Sequence, residues 1–77
     1  MAPISRPSPC YLDQLEKYRV IWGRQVWTNA TRSRFFTWDA LHGEIEVFDK
    51  RGYHLQVLHA VTGAPIKGAI RGRRLYE

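Results

Sequence analysis

The chain has one cysteine, Cys10, so no internal disulfide can staple it and no cysteine set can hold a metal. It has no apolar run near the roughly 20 residues that a membrane-spanning helix needs. Residues 1–9 lack the apolar stretch of a signal peptide. There is no internal repeat and no low-complexity segment. Acids are scarce, with 7 carboxylates against 12 lysines and arginines and a net charge of +5. These absences exclude a disulfide scaffold, a helical membrane protein and a cysteine-based metal module. They leave one small soluble domain over residues 1–77. A chain of this length buries roughly 60–65% of its unfolded surface, so its core is thin. The three tryptophans, three phenylalanines and four tyrosines must build it.

The charge is unevenly placed. Arg19 to Phe36 contains Arg19, Arg24, Arg32 and Arg34 and no acid, and the tail carries Lys67, Arg71, Arg73 and Arg74 against Glu77. Between them, Asp39 to Asp49 holds Asp39, Glu44, Glu46 and Asp49 and no base. The basic flanks suit phosphates and speed encounters with nucleic acid. Arg32, Arg34, Lys67 and Arg74 are the RNA-binding candidates.

The pattern predicts an α+β fold, mainly β, with a short N-terminal helix followed by a small antiparallel sheet. Residues 1–8 read as a flexible arm. Ser8-Pro9 is a good helix start, and Tyr11, Leu12, Leu15 and Tyr18 recur at helical spacing, which predicts a helix over 9–18. From residue 20 to 77 the pattern is that of strands. Val20 to Thr28 reads as one strand with a bulge at Gly23, and Arg34 to Asp39 as the next. Glu44 to Phe48 and Tyr53 to Leu58 follow, joined by the turn Asp49-Lys50-Arg51-Gly52. Val61 to Pro65 breaks the pattern, and Arg73 to Tyr76 can add an edge strand.

The densest chemistry lies in Trp38-Asp39-Ala40-Leu41-His42-Gly43-Glu44-Ile45-Glu46. Strand alternation puts Glu44 and Glu46 on one face and Ile45 and Val47 on the other, which is the natural core face. Asp39, His42, Glu44 and Glu46 can then meet in one shallow cleft. A carboxylate and an imidazole with arginines nearby suffice to cleave RNA without a metal, because RNA supplies its own 2′-hydroxyl nucleophile. Three other readings stand beside this one: a solvated turn on a polar sheet face, a divalent metal site, although no recognised metal motif fits, and a non-catalytic RNA- or ribosome-binding β-domain. His54 and His59 are isolated and read as packed or surface histidines.

The string Trp38-Asp39-x-x-His42-Gly43-x-x-Glu46 resembles the cytotoxic ribonuclease domain of the ribosome-inactivating colicins and cloacins. Trp27-Thr28 precedes it, and Gly52-x-His54-Leu55, Thr62-Gly63 and Lys67-Gly68 follow in that family's order. The resemblance runs from Trp27 to Leu75. It departs at His59-Ala60-Val61, where the family has an acidic Asp-Pro turn, and at Gln56, where it has glycine. The resemblance implies an endoribonuclease toxin that makes one cut in small-subunit ribosomal RNA at the decoding site and stops translation. It implies a metal-independent reaction with no cofactor that leaves a 2′,3′-cyclic phosphate. Carried over, Glu46 is the general base, His42 the general acid, Asp39 the residue that orients or polarises the histidine, and Glu44 a supporting carboxylate. Arg73 takes the place of the catalytic arginine, with Arg71 the alternative. The implied partners are the ribosome and an acidic immunity or antitoxin protein, and the implied site of action is the bacterial cytoplasm.

Overall fold

The computed structural model describes residues 2–76. Six strands, β1 (Glu16–Ile21), β2 (Arg24–Thr28), β3 (Phe35–Asp39), β4 (Glu44–Phe48), β5 (His54–Leu58) and β6 (Pro65–Lys67), form one antiparallel sheet in sequence order. A single 3-10 turn, Tyr11–Gln14, precedes them. Among the described residues no helix is long and apolar enough to cross a membrane.

The expected helix over 9–18 is therefore absent, and the fold is all-β rather than α+β. The 3-10 turn is held by Asp13 N–H to Cys10 C=O at 3.0 Å and Leu15 N–H to Leu12 C=O at 3.1 Å. The chain is extended again at Leu15. A four-residue turn gains little from helix propagation. Lys17 to Ile21 instead pairs with β2 through a two-residue connection, Trp22-Gly23, both residues with positive φ (53° and 75°). Positive φ at both central positions matches the twist of a tight hairpin. Gly23 thus belongs to a turn between two strands and is not a bulge inside one.

Two further connections are closed by side chains. Asp49 Oδ1 accepts the N–H groups of Arg51 (2.9 Å) and Tyr53 (3.0 Å), as the Asp49–Gly52 sequence suggests. His59 Nδ1 accepts those of Val61 (3.1 Å) and Thr62 (3.3 Å), so an imidazole caps the β5–β6 connection. Pro65 opens β6 at the sheet edge, where its missing N–H costs no ladder bond. The tail adds only an isolated bridge between Tyr53 and Arg74.

Both faces of the sheet are covered. Trp27, Phe36, Ile45, Val47 and Leu58 pack under Cys10 and Leu12 of the N-terminal segment. On the opposite face Val26, Phe35 and Phe48 pack under Leu75 of the C-terminal tail. The second apolar cluster stops at Phe48. Beyond it the register continues that face with Thr37 opposite Glu46 and Asp39 opposite Glu44. The acidic residues therefore share a face with half of the core, next to the tail that covers it.

Candidate active site

Asp39 ends β3, and Gly43, with φ +68°, turns the chain back into β4. Gly43 N–H closes this turn on Asp39 C=O at 2.8 Å. The Asp39 carboxylate organises the rest. Its Oδ1 accepts the N–H groups of Leu41 (3.0 Å) and His42 (3.2 Å), and its Oδ2 lies 2.7 Å from His42 Nδ1. An ionised carboxylate only accepts, so Nδ1 carries a proton and Nε2 is left for transfer to or from another molecule. These hydrogen bonds set the titration of Asp39. Burial pulls its carboxyl upward, but the His42 ring and the two backbone donors outweigh it and hold the group below its ordinary 3.8.

Glu44 pairs with Lys67 Nζ at 3.2 Å. Asp39, His42 and Glu44 bring one ligand-type atom each within 4.8 Å of one another, a spacing that a cation can use. Glu46, one side-chain step further along the same face, is set apart from that trio. Glu46 is buried, and its carboxylate forms an ion pair with Arg73 Nη1. The site thus has two centres on one face. His42 with Asp39 is the open one, and Glu46 with Arg73 the enclosed one. Glu44 lies between, about 7 Å from Glu46 by strand geometry.

The expected open face is thus only half open. Glu46 is enclosed because β3, β5 and the tail surround it, with Thr37 and Val57 as its cross-strand neighbours. Thr37 Oγ1 is itself buried without a hydrogen-bond partner among the described residues. His54, read from sequence as isolated, is a neighbour of this centre: its Nε2 lies 3.5 Å from Glu46 Oε1. No spacing rule signals this, because a bulge between Val47 and Phe48 brings His54 opposite Phe48 and onto the acidic face.

A cavity of about 650 Å³ is lined by Tyr53, His54 and the segment Ala69–Arg74, and so shares His54 and Arg73 with the Glu46 centre. It gathers Arg71, Arg73 and Arg74. Arg73 reaches Glu46, whereas Arg74 stacks over the Tyr53 ring at 4.2 Å. The other basic candidates lie elsewhere. Arg32, with φ +56°, stands over the Tyr18 ring at 5.7 Å, and Arg34 donates to Ser33 C=O. Lys67 is committed to Glu44.

One all-β sheet thus carries a His–Asp pair and a buried glutamate on one face, and the glutamate's neighbours His54 and Arg73 also line the arginine-rich cavity. The family model described as Cytotoxic matches residues 21–76, and the chain belongs to that family. No curated protein matches it.

Proposed function

We propose that this toxin domain is a metal-independent endoribonuclease of the colicin type, cutting small-subunit ribosomal RNA at the decoding site and so blocking translation. The observation that carries this reading is the sharing of one sheet face by Glu46, held by Arg73, and the Asp39–His42 pair. Glu46 accepts the ribose 2′-hydroxyl proton as the 2′-oxygen attacks phosphorus. The bond from phosphorus to the 5′-oxygen breaks, and His42 in its imidazolium form delivers a proton from Nε2 to that oxygen. The products are a 2′,3′-cyclic phosphate and a free 5′-hydroxyl. Asp39 fixes the His42 ring by holding Nδ1–H. Arg73 spends one donor on Glu46 and has others for the charge that builds on the phosphoryl oxygens. Arg71 and Arg74, around the same cavity, favour entry of the phosphodiester chain. Glu44 with Lys67 supports the cleft beside His42.

The partner that suits this surface besides RNA is an acidic immunity or antitoxin protein, because the cavity gathers three arginines and the chain carries +5. The place of action is the bacterial cytoplasm, where the ribosomes are. The test is incubation of intact bacterial ribosomes with the protein in excess chelator, followed by sizing of the small-subunit RNA. One short 3′ fragment, absent with His42→Ala and with Glu46→Ala, is the expected result. Cleavage retained by both variants would overturn the assignment of roles. Cleavage abolished by chelator would instead point to a cation held by the Asp39, His42 and Glu44 trio.

A further inference from the structure

His54 has an unusual set of bonds for a histidine in a strand. Its side chain is fully enclosed. Its backbone N–H donates to Arg73 C=O at 3.3 Å, and its Nδ1 accepts the N–H of Ile70 at 2.9 Å. Arg73 N–H in turn donates to Ile70 C=O at 3.3 Å. One residue of β5 therefore holds both ends of the 70–73 turn, the turn from which Arg73 reaches Glu46. A nitrogen that accepts a backbone N–H carries no proton of its own, so the neutral ring has its proton on Nε2. Nε2 is buried, makes no hydrogen bond among the described residues and lies 3.5 Å from Glu46 Oε1. The remaining neighbours give no other reason for a polar ring: Phe48 meets it edge-on at 5.4 Å between centroids, and Arg73 is the cation beside it.

We infer that His54 is a positioning residue: as a neutral ring protonated at Nε2, it latches the 70–73 turn and sets where Arg73 meets Glu46. The inference rests on the roles proposed above for Glu46 and Arg73. The charged ring would have a proton on both nitrogens, would set Nδ1–H against Ile70 N–H, and would release the turn. Burial and two charged groups bear on that equilibrium. Burial and the Arg73 charge favour the neutral ring, Glu46 opposes them, and the net direction is a lowered His54 pKa.

The experiment combines ¹⁵N NMR of the imidazole, amide exchange at Ile70 and cleavage kinetics on ribosomes. His54→Asn keeps an acceptor near the Nδ1 position, and His54→Leu removes it while filling the space. For the unsubstituted protein we expect an unprotonated Nδ1 and a protected Ile70 amide. His54→Asn should keep both that protection and most of the cleavage rate. His54→Leu should lose protection at Ile70 while the β3 and β4 amides stay protected. Its kcat should fall about a hundredfold, the scale of a misplaced catalytic group, with KM little changed. A proton found on Nδ1, or an Ile70 amide still protected in His54→Leu, overturns the inference. So does a His54→Leu variant with unaltered kcat. If the unsubstituted protein cuts no RNA, the ribonuclease reading fails, and the imidazole and amide measurements still decide whether His54 is the latch.

Discussion

Arg73 and Glu46 stand 27 residues apart in the chain and form an ion pair whose carboxylate side chain is 7% exposed and whose guanidinium is 35% exposed. The asymmetry sets what each partner does when removed. Arg73→Ala leaves an enclosed carboxylate without its charge partner, which should cost about 2 kcal/mol of stability, moderated by the solvent that Arg73 already meets. Glu46→Gln keeps shape and hydrogen-bonding capacity and should cost less. Both should lose RNA cleavage. Urea unfolding of the two variants checks the order. Equal destabilisation would mean that the enclosure of Glu46 matters less than the geometry indicates.

Two pH windows follow from the titrations of His54 and Asp39. His54 titrates below its ordinary 6.5 in the folded protein, so near that value the unfolded chain binds more protons. Its contribution is complete above 6.5 and is lost as the pH falls through the lower folded value. Asp39 titrates below its ordinary 3.8, so its contribution is complete above 3.8 and is lost only under stronger acid. Urea midpoints against pH should therefore show His54→Asn converging on the unsubstituted protein at mildly acid pH. Asp39→Asn should converge only below 3.8. A constant gap between His54→Asn and the unsubstituted protein from about pH 8 to pH 5 would contradict the direction assigned to His54.

Asp39 also allows its two duties to be separated. Asp39→Asn retains an oxygen for the Leu41 and His42 N–H groups but loses the charge that faces His42 Nδ1. Asp39→Ala loses both. The asparagine variant should fold with a loss of about 1 kcal/mol or less, the alanine variant with a larger one. Both should cleave RNA more slowly, because the His42 ring loses its fixed orientation. Thermal melts beside cleavage rates make the test. An Asp39→Asn variant with full activity would show that the charge on Asp39 is not needed.

The strands that bear the site were legible because their residues combine β-branched and aromatic types with clear turn chemistry. Phe35–Asp39, Glu44–Phe48 and His54–Leu58 fall within a residue or so of the expected spans, and Asp49–Gly52 closes as its sequence suggests. The first twenty residues misled because Tyr11, Leu12, Leu15 and Tyr18 satisfy a helical period while the segment is too short for that period to decide. The hairpin that replaces the helix turns on Trp22-Gly23, and an aromatic residue at positive φ has no sequence signal. Pro65 reads as a break until the strand after it proves to be an edge. Within the site, the Asp39–His42 pairing is local and readable from a spacing of three. The link from Glu46 to Arg73 and His54 depends on how the tail folds back over β4 and β5. Alternation alone could not foresee that Phe48 and Glu46 would be enclosed on the face that carries the acids.

The N-terminal segment braces the turn that carries His42. Ile4 N–H donates to Ala40 C=O at 2.8 Å, and Trp38 Nε1–H donates to Ile4 C=O at 2.9 Å. Arg6 lies over the Trp27 ring at 5.0 Å and approaches Asp13 at 3.8 Å. Ile4 also sits against Gly43, where an added Cβ would come within 3.2 Å of Ile4 Cγ2. Two changes disturb this brace from opposite sides. Gly43→Ala forces a side chain onto a residue at φ +68° and pushes on Ile4, at a cost of about 1–2 kcal/mol for the backbone alone. Deleting residues 2–6 leaves the Asp39–Gly43 turn intact in its own hydrogen bonds but removes the contacts to Ala40 and Trp38. The deletion should lower the melting temperature only slightly, alter the fluorescence of Trp38, and slow cleavage through a looser His42. Gly43→Ala should lower both the melting temperature and the rate. If the deletion changes the fluorescence but leaves the rate intact, the bonds that Asp39 makes to Leu41, His42 and Gly43 suffice to hold the imidazole. The brace then contributes stability alone.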